Sequence, residues 1–315
     1  MRSKMPSTPP GAVGEALDRH GLMVYDDDHE FVDRAASYLG SAGVDGEAGL
    51  AILTDRRWAM VERSLDAESG VVFVQRKQIY KRPEAAIAYY DDYIRRLERE
   101  GATVVRVIAD MPAWKRPEQR DAWLRYEAVL NLAFAHHPVS FICAYDTRVQ
   151  SPSIVDCAWR THPRVLADAW EDNPRYEDPA DIVDASTPSP DAIDGLRSLP
   201  IDIDQNATTE RLRRELRALR VPRARAERLL RAAAEVLDNA NVHGGGPRSQ
   251  RLGRVGGQIV WELTDGGAGF DDPLAGYLPP DPGRAKDTGL WLVRQLTKRL
   301  EFRRSPEGFT ARVWV

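Results

Sequence analysis

Cysteine is nearly absent from this chain. Cys143 and Cys157 are the two in 315 residues, which excludes a disulfide framework and a cysteine-rich zinc site. No run of about 18 apolar residues occurs, so no membrane-spanning helix is expected. The opening MRSKMPSTPPGAVG lacks the apolar core of a signal peptide. A surplus of one charge is missing too: 44 basic residues against 48 acidic leave −4, which argues against a general polyanion binder. Lysine is scarce, with six Lys beside 38 Arg, a bias that fits GC-rich coding better than a nucleic-acid footprint. The first half has no Walker-type phosphate loop, no G-x-G-x-x-G and no nucleophile elbow. A soluble, reduced, cytoplasmic protein that neither contacts DNA directly nor enters a membrane is the expectation.

The 315 residues, 43% of them hydrophobic, suffice for two cores. From about residue 20 to 166, strand-like runs alternate with helical ones. GLMVY (21–25), GLAILT (49–54), VVFV (71–74), ATVVRVIAD (102–110) and VSFICAY (139–145) read as buried strands. HEFVDRAASYL and PEAAIAYYDDYIRRLERE, between them, carry apolar residues at helical spacing. Alternating βα units predict an α/β domain with a mostly parallel sheet. Residues 168–194 hold nine acidic residues, four Pro and one Arg, with little apolar periodicity. Such a stretch buries too little surface to offset ordering entropy, and an acidic linker over 171–198 is expected. From 199 to 315 a long helical block precedes strands, which predicts an α+β domain.

That second half carries the chemistry. Glu235 and Asn239 are i and i+4 near the end of a predicted helix, so they share a face, with His243 one turn further on. An amide oxygen beside a carboxylate suits one hard cation and a base for an incoming hydroxyl, although a helical Glu-x-x-x-Asn pair alone is ordinary solvated surface. Twenty-six residues beyond Asn239, the strand QIVWELTD ends in Asp265-Gly-Gly267-Ala-Gly269-Phe270. Glycines there admit a ligand close to the backbone, and the carboxylate can accept from an exocyclic amine. A loop over 271–288 then ends in Lys286-Asp287-Thr288-Gly289-Leu290 at a helix start, a natural phosphate seat.

With these motifs in this order, residues 199–315 resemble the GHKL (Bergerat-fold) ATPase domain in its compact anti-sigma-factor form. Glu235, Asn239 and His243 match the N-box, Asp265, Gly267 and Gly269 the D-x-G-x-G box, and Thr288-Gly289-Leu290 the second Gly box. The resemblance implies ATP and Mg²⁺ as cofactors, Glu235 as catalytic base and Asn239 as the Mg²⁺ ligand. It implies Asp265 at adenine's amino group, Thr310 near adenine, and His243, Gly267, Gly269, Lys286, Thr288, Gly289 and Leu290 around the nucleotide. Asp287 stands where the box's first glycine is expected; it restricts φ and adds negative charge, which Arg284 and Lys286 can offset.

No His lies in 208–231, before the N-box, so a two-component histidine kinase lacks its phosphoacceptor. Topoisomerase, chaperone and mismatch-repair ATPases need longer chains. The anti-sigma branch implies a sigma factor and an anti-anti-sigma (STAS-type) protein as partners, with a Ser or Thr of the latter phosphorylated. Such ATPase domains often form homodimers. A non-catalytic ATP- or partner-binding switch is the alternative, favoured by Asp287. The nine Arg of 208–231 form either a solvated helix above the apolar stripe Leu212, Leu216, Leu219, Leu229 and Leu230, or a basic face for an acidic partner.

Residues 15–170 resemble the MEDS sensory domain. The similarity rests on His20…Tyr25-Asp-Asp-Asp-His-Glu-Phe, Trp114, Tyr126-Glu127-Ala128…Asn131-Leu-Ala-Phe134, Cys143-Ala-Tyr145-Asp146 and Asp156…Arg160-Thr161-His162-Pro163. It implies a RecA/KaiC-like sheet without the nucleotide loop, and a small-molecule signal. His20, Tyr25, Cys143, Asp146, Arg160 and His162, near predicted strand ends, are the candidate ligand contacts. His and Cys can ligate haem iron or another metal, but no sequence spacing supports a metal there.

Overall fold

A computed structural model describes residues 20–40, 42, 46–114, 117–186, 193–202, 204–270, 272, 274–280 and 288–315. The chain divides into two compact units, Met1–Ser186 and Thr187–Val315.

In the first unit, strands and helices alternate as β1 (His20–Tyr25), α1 (Asp28–Leu39), β2 (Glu47–Leu53), α2 (Asp55–Val61), β3 (Val71–Gln75), α3 (Arg76–Ile79) and α4 (Pro83–Arg99). They continue as β4 (Val104–Asp110), α5 (Pro117–Ala133), β5 (Val139–Asp146), α6 (Pro152–Thr161), β6 (Arg164–Leu166), β7 (Trp170–Asp172) and α7 (Pro179–Ser186). The sheet order is β3-β2-β4-β5-β1-β6-β7, parallel except for the β6/β7 pair. Period 2 along the strands and period 3.6 along the helices assign the two faces. Met23 and Tyr25 of β1, with Ile142 and Ala144 of β5, pack on the α1 stripe Phe31, Val32, Ala35, Tyr38 and Leu39. A fully buried apolar side chain of this size contributes roughly 1.5–3 kcal/mol. Asp27 caps α1, accepting from the backbone N–H groups of His29 and Glu30.

The structure corrects the expected linker. Within 171–198, β7 extends the first sheet, α7 packs on α5, and β8 (Arg197–Leu199) joins the second sheet. Composition misled because a few apolar residues suffice: Ile182 and Val183 are buried, and Trp170 packs against the α1 core.

The second unit adds α8 (Gln205–Ala218), α9 (Arg223–His243), β9 (Pro247–Val255), β10 (Gln258–Asp265), α10 (Thr288–Leu296), β11 (Arg299–Ser305) and β12 (Gly308–Trp314). Its antiparallel sheet runs β11-β12-β10-β9-β8. The expected long helix over 208–231 is two helices. Arg220 takes φ 53° and Pro222, with no N–H to donate, caps the next helix. Their leucines meet Ile259, Trp261, Leu263, Ala311 and Val313 in one core. The Arg residues above that core are partly paired, Arg211 with Asp202 and Arg213 with Glu210 and Glu227. Among the described residues no helix is long and apolar enough to cross a membrane.

Candidate functional site

A cavity of about 500 Å³ opens between α9, the end of β10 and the start of α10. Asn239, His243, Asp265, Gly267, Gly269, Gly289 and Leu290, expected around one ligand, all line it. Glu235 does not line it but stands beside it: a Cβ on Gly289 would lie 3.2 Å from Glu235 Oε2 and 3.4 Å from Asn239 Nδ2. The helical i/i+4 spacing thus aims the carboxylate and the amide at one bare backbone position. At the other wall, the β9/β10 register shifts at Thr264/Asp265, and Asp265 Oδ1 accepts from the Gly267 N–H at 2.8 Å. Its other oxygen, Oδ2, faces Gly244 so closely that no Cβ fits there. Gly269, at φ +76°, lies flat against the Phe309 ring, where a side chain would collide. Arg304 braces this turn by donating to the Ala268 and Phe270 carbonyls.

Three expected residues fall elsewhere or beyond description. Lys286 lies outside the described residues, as do Arg284 and Asp287, and Thr288 begins α10. Thr310 is corrected: its neighbours Phe309 and Ala311 line the cavity, so strand alternation turns Thr310 to the opposite face, where its hydroxyl meets that of Thr264 at 2.8 Å.

In the first unit the six candidates separate into three places. Tyr25 and Asp146, at the carboxyl ends of β1 and β5, belong to an ion-pair cluster. Tyr25 Oη donates to Asp110 at 3.2 Å, Arg57 and Arg76 hold Asp110, and Arg57 and Arg148 hold Asp146. Burial opposes ionisation of Asp146, but the Arg148 hydrogen bonds keep its carboxyl below the usual range; burial, then Asp110, push the Tyr25 phenol far up. Arg160 is paired with Glu177 on the surface. His20, Cys143 and His162 instead converge between the sheet and α5, buried around Glu127. Burial and Glu127 push the Cys143 thiol up, and burial beside His20 pushes His162 well down.

Two family models match the chain. One, described as MEDS: MEthanogen/methylotroph, DcmR Sensory domain, covers residues 19–163; the other, Histidine kinase-like ATPase domain, covers 200–314. Residues 19–163 are thus a MEDS sensory domain and residues 200–314 a histidine kinase-like ATPase domain. No curated protein and no solved structure matches the chain. It is therefore a sensor-linked regulator of the ATPase and kinase-like class.

The ATPase cavity has features that its motifs did not announce. Phe270, Phe302 and Phe309 form an aromatic wall with ring centroids 4.8–5.5 Å apart, a surface on which a planar base can rest. Only their scattered positions 270, 302 and 309 stood in the sequence, with no spacing to join them. Burial raises the Asp265 carboxyl above its usual range, against the Gly267 N–H and the Arg248 charge. A half-desolvated acceptor of this kind gains most from a ligand N–H. In the MEDS domain, Glu127, Asp110 and Arg57 were not among the expected contacts, because their partners come from distant strands.

Proposed function

We propose that this chain is an anti-sigma regulatory factor whose ATPase domain binds Mg-ATP and phosphorylates a Ser or Thr of an anti-anti-sigma protein. The MEDS domain would govern how long a sigma factor is held. The carrying observation is the convergence of Asn239, Asp265 and the glycines on one cavity, with Glu235 beside it at Gly289. At about 500 Å³ it falls within the roughly 300–1,000 Å³ of small-molecule sites, and its donor set fits the nucleotide. Asp265 Oδ2 would accept from adenine's amino group while Phe302 and Phe309 cover the ring. Asn239 would offer its amide oxygen to Mg²⁺, which supplies charge neutralisation on the phosphates. The bare backbone of Gly289 lets the phosphates approach the start of α10, where N–H groups point outward. Glu235, beside Asn239, would take the proton of the incoming hydroxyl. Phosphoryl transfer depends mainly on positioning and charge stabilisation, so these few groups suffice.

Incubation with labelled ATP and the cognate antagonist tests this. Transfer is expected with the wild-type chain and loss of about 100-fold or more in Glu235→Ala, the usual span of general-base catalysis. Undiminished transfer in Glu235→Ala would remove the base assignment. Asp287, in place of a glycine, favours a second reading, a switch that sequesters a partner without catalysis. Absence of Mg-ATP binding at millimolar nucleotide would leave only that reading.

A further inference from the structure

The buried quartet in the MEDS domain is built like a metal site. His20 comes from β1, Cys143 from β5, Glu127 from α5 and His162 from the residue after α6. One ligand atom from each lies within 4.8 Å of all the others, and all four residues are buried.

The hydrogen bonds around the quartet fix which atoms face inward. Asn131 Nδ2 donates to the Glu127 and Thr161 carbonyls, which orients its amide so that Oδ1 accepts from His20 Nδ1 at 3.0 Å. The ring proton of His20 is thus on Nδ1, and the Nε2 lone pair points into the quartet. His162 Nδ1 donates to the Ala158 carbonyl at 2.8 Å. Its Nε2, wholly buried, has no hydrogen-bond partner. Tyr145 Oη donates to Glu127 Oε1 at 2.9 Å and leaves Oε2 toward the two imidazoles and the thiol. An outer ring of Asn131, Ala158 and Tyr145 therefore orients His20, His162 and Glu127 inward, where the Cys143 sulfur also lies, the usual support of metal-binding His and carboxylate groups.

Four of the six ligand-to-ligand edges match a tetrahedron, and the other two, from His162 Nε2 to His20 Nε2 and to Cys143 Sγ, are within 4.8 Å. Bonds of about 2.0–2.2 Å to nitrogen and oxygen and about 2.3 Å to sulfur give edges of about 3.3–3.5 Å between N and O and about 3.5–3.6 Å to S. His20 Nε2 is 3.3 Å from Glu127 Oε2 and 3.5 Å from Cys143 Sγ. Glu127 Oε2 is 3.4 Å from Cys143 Sγ and 3.6 Å from His162 Nε2. We propose that His20, Glu127, Cys143 and His162 hold a single four-coordinate transition-metal ion of the zinc type in the MEDS domain. A bare ion is meant, not haem: the cavity that Glu127 lines with Trp114 and Trp123 holds about 10 Å³. On binding, the Cys143 thiol proton leaves to solvent and the thiolate bonds the metal.

The test uses the full-length chain stripped of metal and titrated with Co²⁺, then Zn²⁺. The chain's two cysteines are Cys143 and Cys157, so a thiolate-to-cobalt charge-transfer band has two candidate sources. Expected are saturation at one equivalent, intense tetrahedral ligand-field bands, and bleaching by Zn²⁺. Cys157→Ser keeps the thiolate band and Cys143→Ser loses it. Asn131→Ala, which spares all four ligands, lowers affinity about 10- to 100-fold against a competing chelator. Absence of a thiolate band in the wild type, or its loss in Cys157→Ser, overturns the proposal. Should Cys143→Ser fail to fold, the wild-type and Cys157→Ser spectra still decide.

Discussion

Asp265→Asn separates base recognition from fold. The replacement keeps an oxygen to accept from the Gly267 N–H and puts an NH₂ where Oδ2 faces Gly244 and the cavity. Adenine's amino group would then meet a donor. Loss of a hydrogen bond to a charged acceptor costs about 1.5–3 kcal/mol, which is roughly 10- to 100-fold in affinity. Inosine triphosphate, with an oxygen in place of that amine, should gain. The assay is equilibrium binding of both nucleotides to both proteins at pH 8, and the expected result is a reversal of preference. The same change also reports on stability. Because the folded Asp265 value is raised, ionisation works against folding, and this cost sets in as pH rises from the ordinary 3.8 through the higher folded value. Without nucleotide, Asp265→Asn should melt at or above the wild type at pH 7 and lose that advantage below pH 4. An unchanged ATP-to-ITP ratio would refute the assignment of Asp265 to the base.

Gly269→Ala forces a side chain into left-handed backbone against the Phe309 ring, and a loss of about 2–4 kcal/mol is expected in denaturant unfolding of the ATPase domain. Arg312→Met leaves two buried carboxylates short of their shared partner: Arg312 Nε lies 2.5 Å from Glu262 and Nη1 lies 3.6 Å from Glu301. Arg251, Arg299 and Trp314 still reach those carboxylates, so a loss near the lower end of the 3–5 kcal/mol range is expected by urea titration. In the MEDS domain, the Arg148 hydrogen bonds lower the carboxyls of Asp28 and Asp146, in both against burial, which is the largest single effect at Asp146. Their contribution is present above the ordinary value of 3.8 and lost as pH falls through the depressed folded values. Arg148→Ala should therefore unfold more easily than wild type at pH 7 and no differently at pH 2; a difference independent of pH would exclude these pairs as its source.

Local periodicity carried much of the fold into view. The strands 21–25, 102–110 and 139–145 stand close to β1, β4 and β5 because parallel buried strands need continuous apolar runs. The block over 208–231 was misjudged as continuous because helical propensity says little about a single Pro222 and the turn before it. Within the expected linker 171–198, composition averages away the few side chains, Ile182 and Val183, that bury the segment in its domain.

What the sequence determined by itself was whatever rests on short-range geometry. Glu235 and Asn239 lie one helical turn apart whatever surrounds them, and the glycines after Asp265 mark a turn on their own. Tertiary structure alone decided which strand face Thr310 takes, which rings wall the ATPase cavity, and that His20 meets Cys143 across 123 positions. Such meetings depend on strand order and on which face of β1 and β5 turns toward α5, and no local spacing encodes either.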